Sequence, residues 1–308
     1  MSLESGPKII NFYKAKDMTS YDVIRTLKRK LPRKSKLGHF GTLDPFACGV
    51  LMIGIHGAQR LNEYIHQFLP KTYIASGILG KSTPTGDLTV AADQVDETDY
   101  LFQNIANFET EFIQKVLEKK FIGDYLQSPH VYSAAKYEGK ALHEWAREGI
   151  EIKKEKKLRH VYELNVLEYE FPRLVIEFTV SSGTYIRTLF SECAELLETL
   201  GTLQDLERTR IGPCHSENAV KKENWDNQSL PSFKMEEVLD FSSFIMAPKE
   251  SALYSNGVKL KIERAESEIK GSLDAPFFWI KNKDLNVLGL AEIKEGEIHP
   301  KVNFSLSS

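Results

Sequence analysis

Cysteine is scarce in this chain. The three present among 308 residues, Cys48, Cys193 and Cys214, are far apart and form no C-x-x-C pair. That excludes a disulfide framework and gives no zinc-site spacing. Long apolar runs are missing too, so no segment is expected to span a bilayer. The opening MSLESGPKII has neither the cationic region nor the apolar run of a secretory signal, and a cytoplasmic location is expected. There is no glycine loop of the phosphate-binding kind and no metal-ligand cluster, so neither a nucleotide enzyme nor a metal enzyme is indicated. An excess of positive charge is also lacking: 40 Lys and Arg face 43 Asp and Glu, for a net charge of -3. Contact with nucleic acid must therefore rest on local patches.

Hydrophobic residues make up 42% of the chain, enough for an ample core in a globular protein of this length. KIINFYKA has the pattern of a short strand. Thr19 and Ser20 offer an N-cap for a helix on which Val23, Ile24, Leu27 and Leu31 share one face, with Pro32 as its stop. The other face is basic: from Arg25 to Lys36 the run RTLKRKLPRKSK contains no acid, and Lys28, Arg29 and Lys30 are its candidate contacts to nucleic acid. GHFGTLDPFACGVL is expected to be a loop entering a strand, TYIASGILG a strand, and ANFETEFIQKVLEKKFIG an amphipathic helix ended by Gly123. A short helix is expected at LHEWAREGI. Two strands rich in β-branched and aromatic residues are expected to turn near Pro172, and RTLFSECAELLETLG to be a helix ended by Gly201. Strands and helices mix without regular β-α alternation, which favours an α+β architecture.

The stretch KLGHFGTLDPFACGVL closely resembles the signature of the TruB family of pseudouridine synthases, G-H-x-G-T-L-D-P-x-A-x-G-V-L. Four further blocks agree in order: KTY at 71 to 73, LGKSTPTGD at 79 to 87, FIGDYLQSPHVYSAAKYEGKALHEWAREGI at 121 to 150, and SSGTYIRT at 181 to 188. The named blocks run from Lys36 to Thr188, and the resemblance extends over roughly residues 9 to 215. The resemblance implies isomerisation of uridine 55 in the TΨC loop of tRNA: the target base is flipped out, its bond to the sugar is broken, and it is rejoined through C5. That chemistry needs no cofactor, because the reaction is a rearrangement that an oriented carboxylate can drive.

Asp44 matches the essential aspartate of the family, and both addition to C1′ and proton abstraction from C2′ remain open for it. Gly38 and Gly41 upstream let the backbone approach a nucleotide, while Pro45 restricts the turn. Arg187 matches the arginine that pairs with this aspartate, and Tyr73 the active-site tyrosine, for which both stacking on the target base and accepting a proton are open. His39 matches the histidine that fills the space left by the departing nucleotide. Lys71 is a candidate phosphate contact, Asp87 a hydrogen-bonding support, and Leu206 an apolar residue beneath the base. The family's K-P-x-G-x-T-S appears as KAKDMTS, so Ala15 and Asp17 stand where proline and glycine are expected and a turn of different shape is anticipated. Pro84, His130 and Glu207 also depart from the pattern, and the loss of an arginine at 207 is expected to weaken RNA binding.

The implied fold is a central mixed, mostly antiparallel β-sheet flanked by helices, as a catalytic domain over 1–245. Residues 246–308 resemble a small PUA-like β-barrel module for RNA. The expected partner is the tRNA T-arm, met by a monomer without guide RNA or an obligate protein partner. An RNA chaperone working through the same fold without chemistry is the alternative, and the Asp44 carboxylate discriminates between the two.

Overall fold

The computed structural model of the protein describes residues 6–97, 105–128, 136–141, 144–145, 148, 150, 155–225, 230–262, 268–272 and 275–304. His130 and most of the segment 142–150, where a short helix was expected, lie outside them.

The chain begins with β1 (Lys8–Lys14), α1 (Ser20–Lys28), β2 (Leu37–His39), β3 (Cys48–Ile55), α2 (Asn62–Phe68) and β4 (Lys71–Leu79). Two short strands, β5 (Lys81–Ser82) and β6 (Asp96–Glu97), precede α3 (Thr110–Phe121), β7 (Gly123–Gln127), β8 (Lys136–Tyr137) and β9 (Lys140–Ala141). Then come β10 (Lys157–Glu170), β11 (Arg173–Val180), α4 (Ile186–Leu196), β12 (Gly201–Ile211) and β13 (Cys214–His215). A nine-stranded sheet runs β1-β3-β12-β4-β11-β10-β7, with β2 on β3 and β13 on β12. Every pair is antiparallel except β3 with β12. The mixed, mostly antiparallel sheet expected from the resemblance is therefore present, with β10 and β11 turning around Pro172.

Local chemistry explains the elements that carry the site. Thr19 caps α1 as expected: its hydroxyl accepts from the Asp22 N–H at 3.1 Å, and its own N–H donates to the Asp22 carboxylate at 2.9 Å. The helix buries Val23, Ile24 and Leu27 against β1 and β3, about 1.5–3 kcal/mol for each side chain. It ends at Lys28, four residues before Pro32. In α4, Phe190 packs so closely on β4 and β12 that a Cβ at Gly77 would stand 2.3 Å from its ring. The helix is thereby seated directly on the sheet, which fixes the position of its second residue, Arg187. Gly201 does not end α4. The chain turns at Glu198, which takes the left-handed conformation at φ 60°, and Gly201 opens β12, where a Cβ would meet that of Ala194 at 2.4 Å.

The rest of the described chain comprises α5 (Met235–Val238), β14 (Ser242–Ile245), α6 (Pro248–Ser255), β15 (Leu260–Lys261), β16 (Glu268–Lys270), β17 (Phe278–Lys281), β18 (Val287–Lys294) and β19 (Glu297–Asn303). These strands form a six-stranded sheet ordered β15-β19-β18-β17-β14-β16. It takes in Ser242–Ile245, so it starts on the N-terminal side of the 245/246 boundary expected from sequence. Trp279, Leu290 and Val302 share one apolar cluster with Val50 and Met52 of β3, and the Trp279 indole donates to the Leu239 carbonyl at 2.7 Å. The small sheet is thus packed onto the large one. Among the described residues no helix is long and apolar enough to cross a membrane.

Candidate active site

The loop from Phe40 to Ala47 joins β2 to β3 and is held from three sides. Buried Ser20, at the start of α1, bonds Leu43 twice: its hydroxyl donates to the Leu43 carbonyl at 3.1 Å and accepts from the Leu43 N–H at 2.9 Å. From the end of β1, the buried Lys14 ammonium donates to the carbonyls of Ala15, Met18 and Pro45. The Asp17 N–H donates to the Pro45 carbonyl at 2.9 Å. From β12, Arg208 is 1% exposed and points its guanidinium at the carbonyls of Val50, Thr42 and Gly41, at 2.8, 3.4 and 3.2 Å. A loop without regular structure is thereby fixed by side chains that spend their hydrogen bonds on its backbone.

At the centre of this loop, Asp44 faces a cavity of about 310 Å³. Its side chain is 37% exposed, and its Oδ2 lies 3.0 Å from Arg187 Nε, whose side chain is 7% exposed. The same guanidinium donates through Nη1 to the Thr85 carbonyl at 2.5 Å and to the buried Asp87 carboxylate at 3.4 Å. Asp87 in turn accepts from the N–H and the hydroxyl of Thr89. The Leu88 N–H donates to the Leu203 carbonyl and the Leu203 N–H to the Gly86 carbonyl, both at 3.0 Å, which ties this turn to β12. One guanidinium therefore orients two carboxylates from different loops. A planar fork does this where a point charge would not.

Tyr73 and Leu206 line the same cavity, with Gly183, Thr184 and Tyr185 from the turn before α4. Tyr73 lies in β4, in register with Phe178 on β11 and Arg208 on β12, and the Arg208 guanidinium carbon is 5.9 Å from its ring centre. The cavity thus has an apolar and aromatic floor beside an oriented carboxylate. It has room for a single base with its sugar.

Its other end is basic. Lys71 is 3% exposed; its Nζ donates to the Ser182 hydroxyl at 3.0 Å and sits 3.4 Å from His66 Nδ1. His66 is also hydrogen-bonded to Ser182. Burial, with Arg208 nearby, pushes the Lys71 ammonium down to about 7, and burial with Lys71 and Arg208 pushes His66 down to about 4. His39, half-buried on β2, is lowered for the same reasons, and its Nδ1 is buried without a hydrogen-bond partner.

Six residues singled out from sequence, Asp44, Lys71, Tyr73, Asp87, Arg187 and Leu206, meet in or directly behind one pocket. His39 stands beside it. Lys28, the last residue of α1, and Arg29 just after it are exposed, whereas Lys30 turns back to the Trp225 carbonyl. Asp17 adopts φ 61°, a left-handed conformation that a glycine would favour and that an aspartate tolerates. Glu207 points away from the cavity and accepts from the Tyr13 hydroxyl at 3.3 Å. Sequence reasoning missed Arg208 and His66. Nothing in the composition of LNEYIHQF marks His66. Arg208 lies two residues after Leu206, a spacing that puts both on one face of a strand when the strand is recognised.

The chain matches the family described as TruB family pseudouridylate synthase (N terminal domain) over residues 28–186. It is 32% identical to tRNA pseudouridine synthase B of Clostridium tetani, over 86% of this chain and 89% of the relative. For the protein of the same name from Fusobacterium nucleatum the figures are 33%, 94% and 96%, and for that from Parabacteroides distasonis 37%, 71% and 92%. Among solved structures, a chain of a Cbf5-Nop10-Gar1 complex shares the fold, with a TM-score of 0.67 at 21% identity over 96% of this chain and 84% of the other. With the motif blocks gathered around one carboxylate and its guanidinium, these likenesses place the chain in the TruB family of pseudouridylate synthases.

Proposed function

We propose that this protein isomerises uridine 55 in the TΨC loop of tRNA to pseudouridine, with Asp44 as the catalytic carboxylate. The observation that carries the reading is the Asp44–Arg187 pair, 3.0 Å apart at the mouth of a base-sized cavity floored by Tyr73 and Leu206. Relatives named tRNA pseudouridine synthase B, matched over most of both chains, support tRNA as the substrate. A base inside the T-loop reaches Asp44 only by leaving its stack, and Tyr73 offers the face on which it is received. Arg187 holds Asp44 in place from 3.0 Å, so that the carboxylate meets the ribose in one orientation. In the rearrangement the C1′–N1 bond breaks and a C1′–C5 bond forms; the C5 hydrogen leaves to solvent as a proton, and N1 takes up a proton, so the product is an isomer of uridine.

Tritium release from C5-labelled uridine in an unmodified T-arm stem-loop transcript tests this. The parent protein is expected to release tritium without added cofactor, and Asp44→Asn to release none while binding the RNA with the parent's affinity. Tight binding with no release from either the stem-loop or full-length tRNA would move the protein to the chaperone reading.

A further inference from the structure

The basic end of the cavity is not explained by a carboxylate acting on a base. Among the described residues neither Lys71 nor Arg208 has an ion-pair partner, and Arg208 is satisfied by carbonyls alone. Burying cationic side chains without an opposing charge is costly. The arrangement converges on one point. A Cβ built on Gly41 would lie 2.7 Å from Lys71 Nζ, 3.5 Å from His66 Cε1 and 3.7 Å from Arg208 Nη1. A side chain at this position would clash with the Lys71 ammonium, and Gly41 holds φ 119°, a conformation that itself favours glycine. Three groups that can carry positive charge therefore converge on the cavity wall at Gly41, three residues before the catalytic aspartate, and the Ser182 hydroxyl orients two of them.

We propose that Lys71, His66 and Arg208 form a subsite for one RNA backbone phosphate, the one flanking the nucleotide whose base enters the cavity. This deepens the reading of the pocket as a nucleotide-isomerising site and rests on it. The phosphate completes the charge balance that the protein leaves open. Until it arrives, burial holds Lys71 close to the pH at which it loses its proton, and the anion then favours the ammonium form. The subsite sets the register of the sugar against Asp44, so Lys71 and His66 are positioning residues.

The test uses T-arm stem-loops in which the phosphate on the 5′ or the 3′ side of the target uridine is replaced by an uncharged methylphosphonate. Affinity and tritium release are measured for the parent, Lys71→Met and His66→Gln. One of the two replacements is expected to weaken binding by the parent on the order of tenfold, as the loss of a charge-assisted contact does. Lys71→Met is expected to weaken binding to the unmodified RNA by a similar factor and to show no further loss with that same methylphosphonate. It should also lower the magnitude of the salt slope of binding by about 0.7–0.9, one phosphate's worth. Losses that multiply at both positions overturn the subsite. So does a parent that tolerates both replacements, whether or not Lys71→Met folds. Release of tritium by the parent without coupling removes the subsite alone, whereas coupling without release removes the proposed reaction and leaves the phosphate site.

Discussion

The two ends of the cavity solve the problem of buried charge in opposite ways. At the Asp44 end the guanidinium of Arg187 lies between two carboxylates, Asp44 and Asp87, and charges of both signs are present before any ligand arrives. At the Gly41 end Lys71, His66 and Arg208 meet hydroxyls and carbonyls but no carboxylate among the described residues, and burial pushes Lys71 and His66 toward their neutral forms. The first end is complete as it stands and works by being rigid. The second is left open, and its charge depends on what enters. A pocket that must grip a polyanion and act on an uncharged ring needs both.

The sharpest way to break the balanced end is to remove Arg187. Arg187→Met leaves Asp87 buried beside a hole and Asp44 without its guide, and a loss of about 3–5 kcal/mol is expected in urea unfolding. Arg187→Lys keeps the charge but cannot serve Asp44, Thr85 and Asp87 at once. It is expected to recover most of the stability and still to lose tritium-release activity by roughly a hundredfold or more, since orientation is what it gives up. A lysine variant working at the parental rate would show that charge alone suffices at this end.

The balanced end was the legible one. Asp44, Arg187, Tyr73 and Asp87 all sit in short blocks whose residues are constrained one after another, so a linear pattern carries them. The open end was not. Lys71 was visible only as the neighbour of Tyr73, and His66 gives no local signal because its role arises when α2 is laid beside the turn at Ser182. Arg208 was hidden by its strand. β12 shifts register between Leu203 and Asp205 and again between Arg208 and Arg210, so GTLQDLERTRI loses the alternation by which a strand is recognised. The same oversight assigned Gly201 to the end of α4. The sheet's mixed pairing, which hinges on the parallel contact of β12 with β3, followed from the family resemblance and not from periodicity.

The open end can be sharpened without RNA by following stability against pH. Burial lowers Lys71 from its ordinary 10.5 to about 7 in the folded chain. Between those values the unfolded chain binds the extra proton, so stability rises with pH across this window and falls as pH drops toward 7. Lys14, lowered to about 8 by burial, adds to the same slope from the other side of the Asp44 loop. The difference in unfolding free energy between parent and Lys71→Met is the informative quantity, because it cancels Lys14. It is expected to swing by roughly 3 kcal/mol in the parent's favour from pH 7 to pH 10. A flat difference would mean that the Lys71 ammonium is already compensated in the empty pocket.

The smallest expected effect lies in the support beneath Asp44. Asp17 holds φ 61° while its N–H bonds the Pro45 carbonyl, so this position must satisfy a backbone conformation and leave a donor free. A glycine meets both demands at no steric cost, but it adds freedom to the unfolded chain that offsets much of the gain. Asp17→Gly is therefore expected to stay within about 0.5 kcal/mol of the parent, with tritium release unchanged. A β-branched side chain is poorly tolerated at positive φ, and Asp17→Val is expected to lose about 1–2 kcal/mol and to slow release by letting the Asp44 loop shift. If Asp17→Gly instead costs as much as Asp17→Val, the contribution of Asp17 is its carboxylate, acting on the buried Lys14 ammonium. The balanced end of the pocket would then extend one charge pair further than the Asp44, Arg187 and Asp87 set.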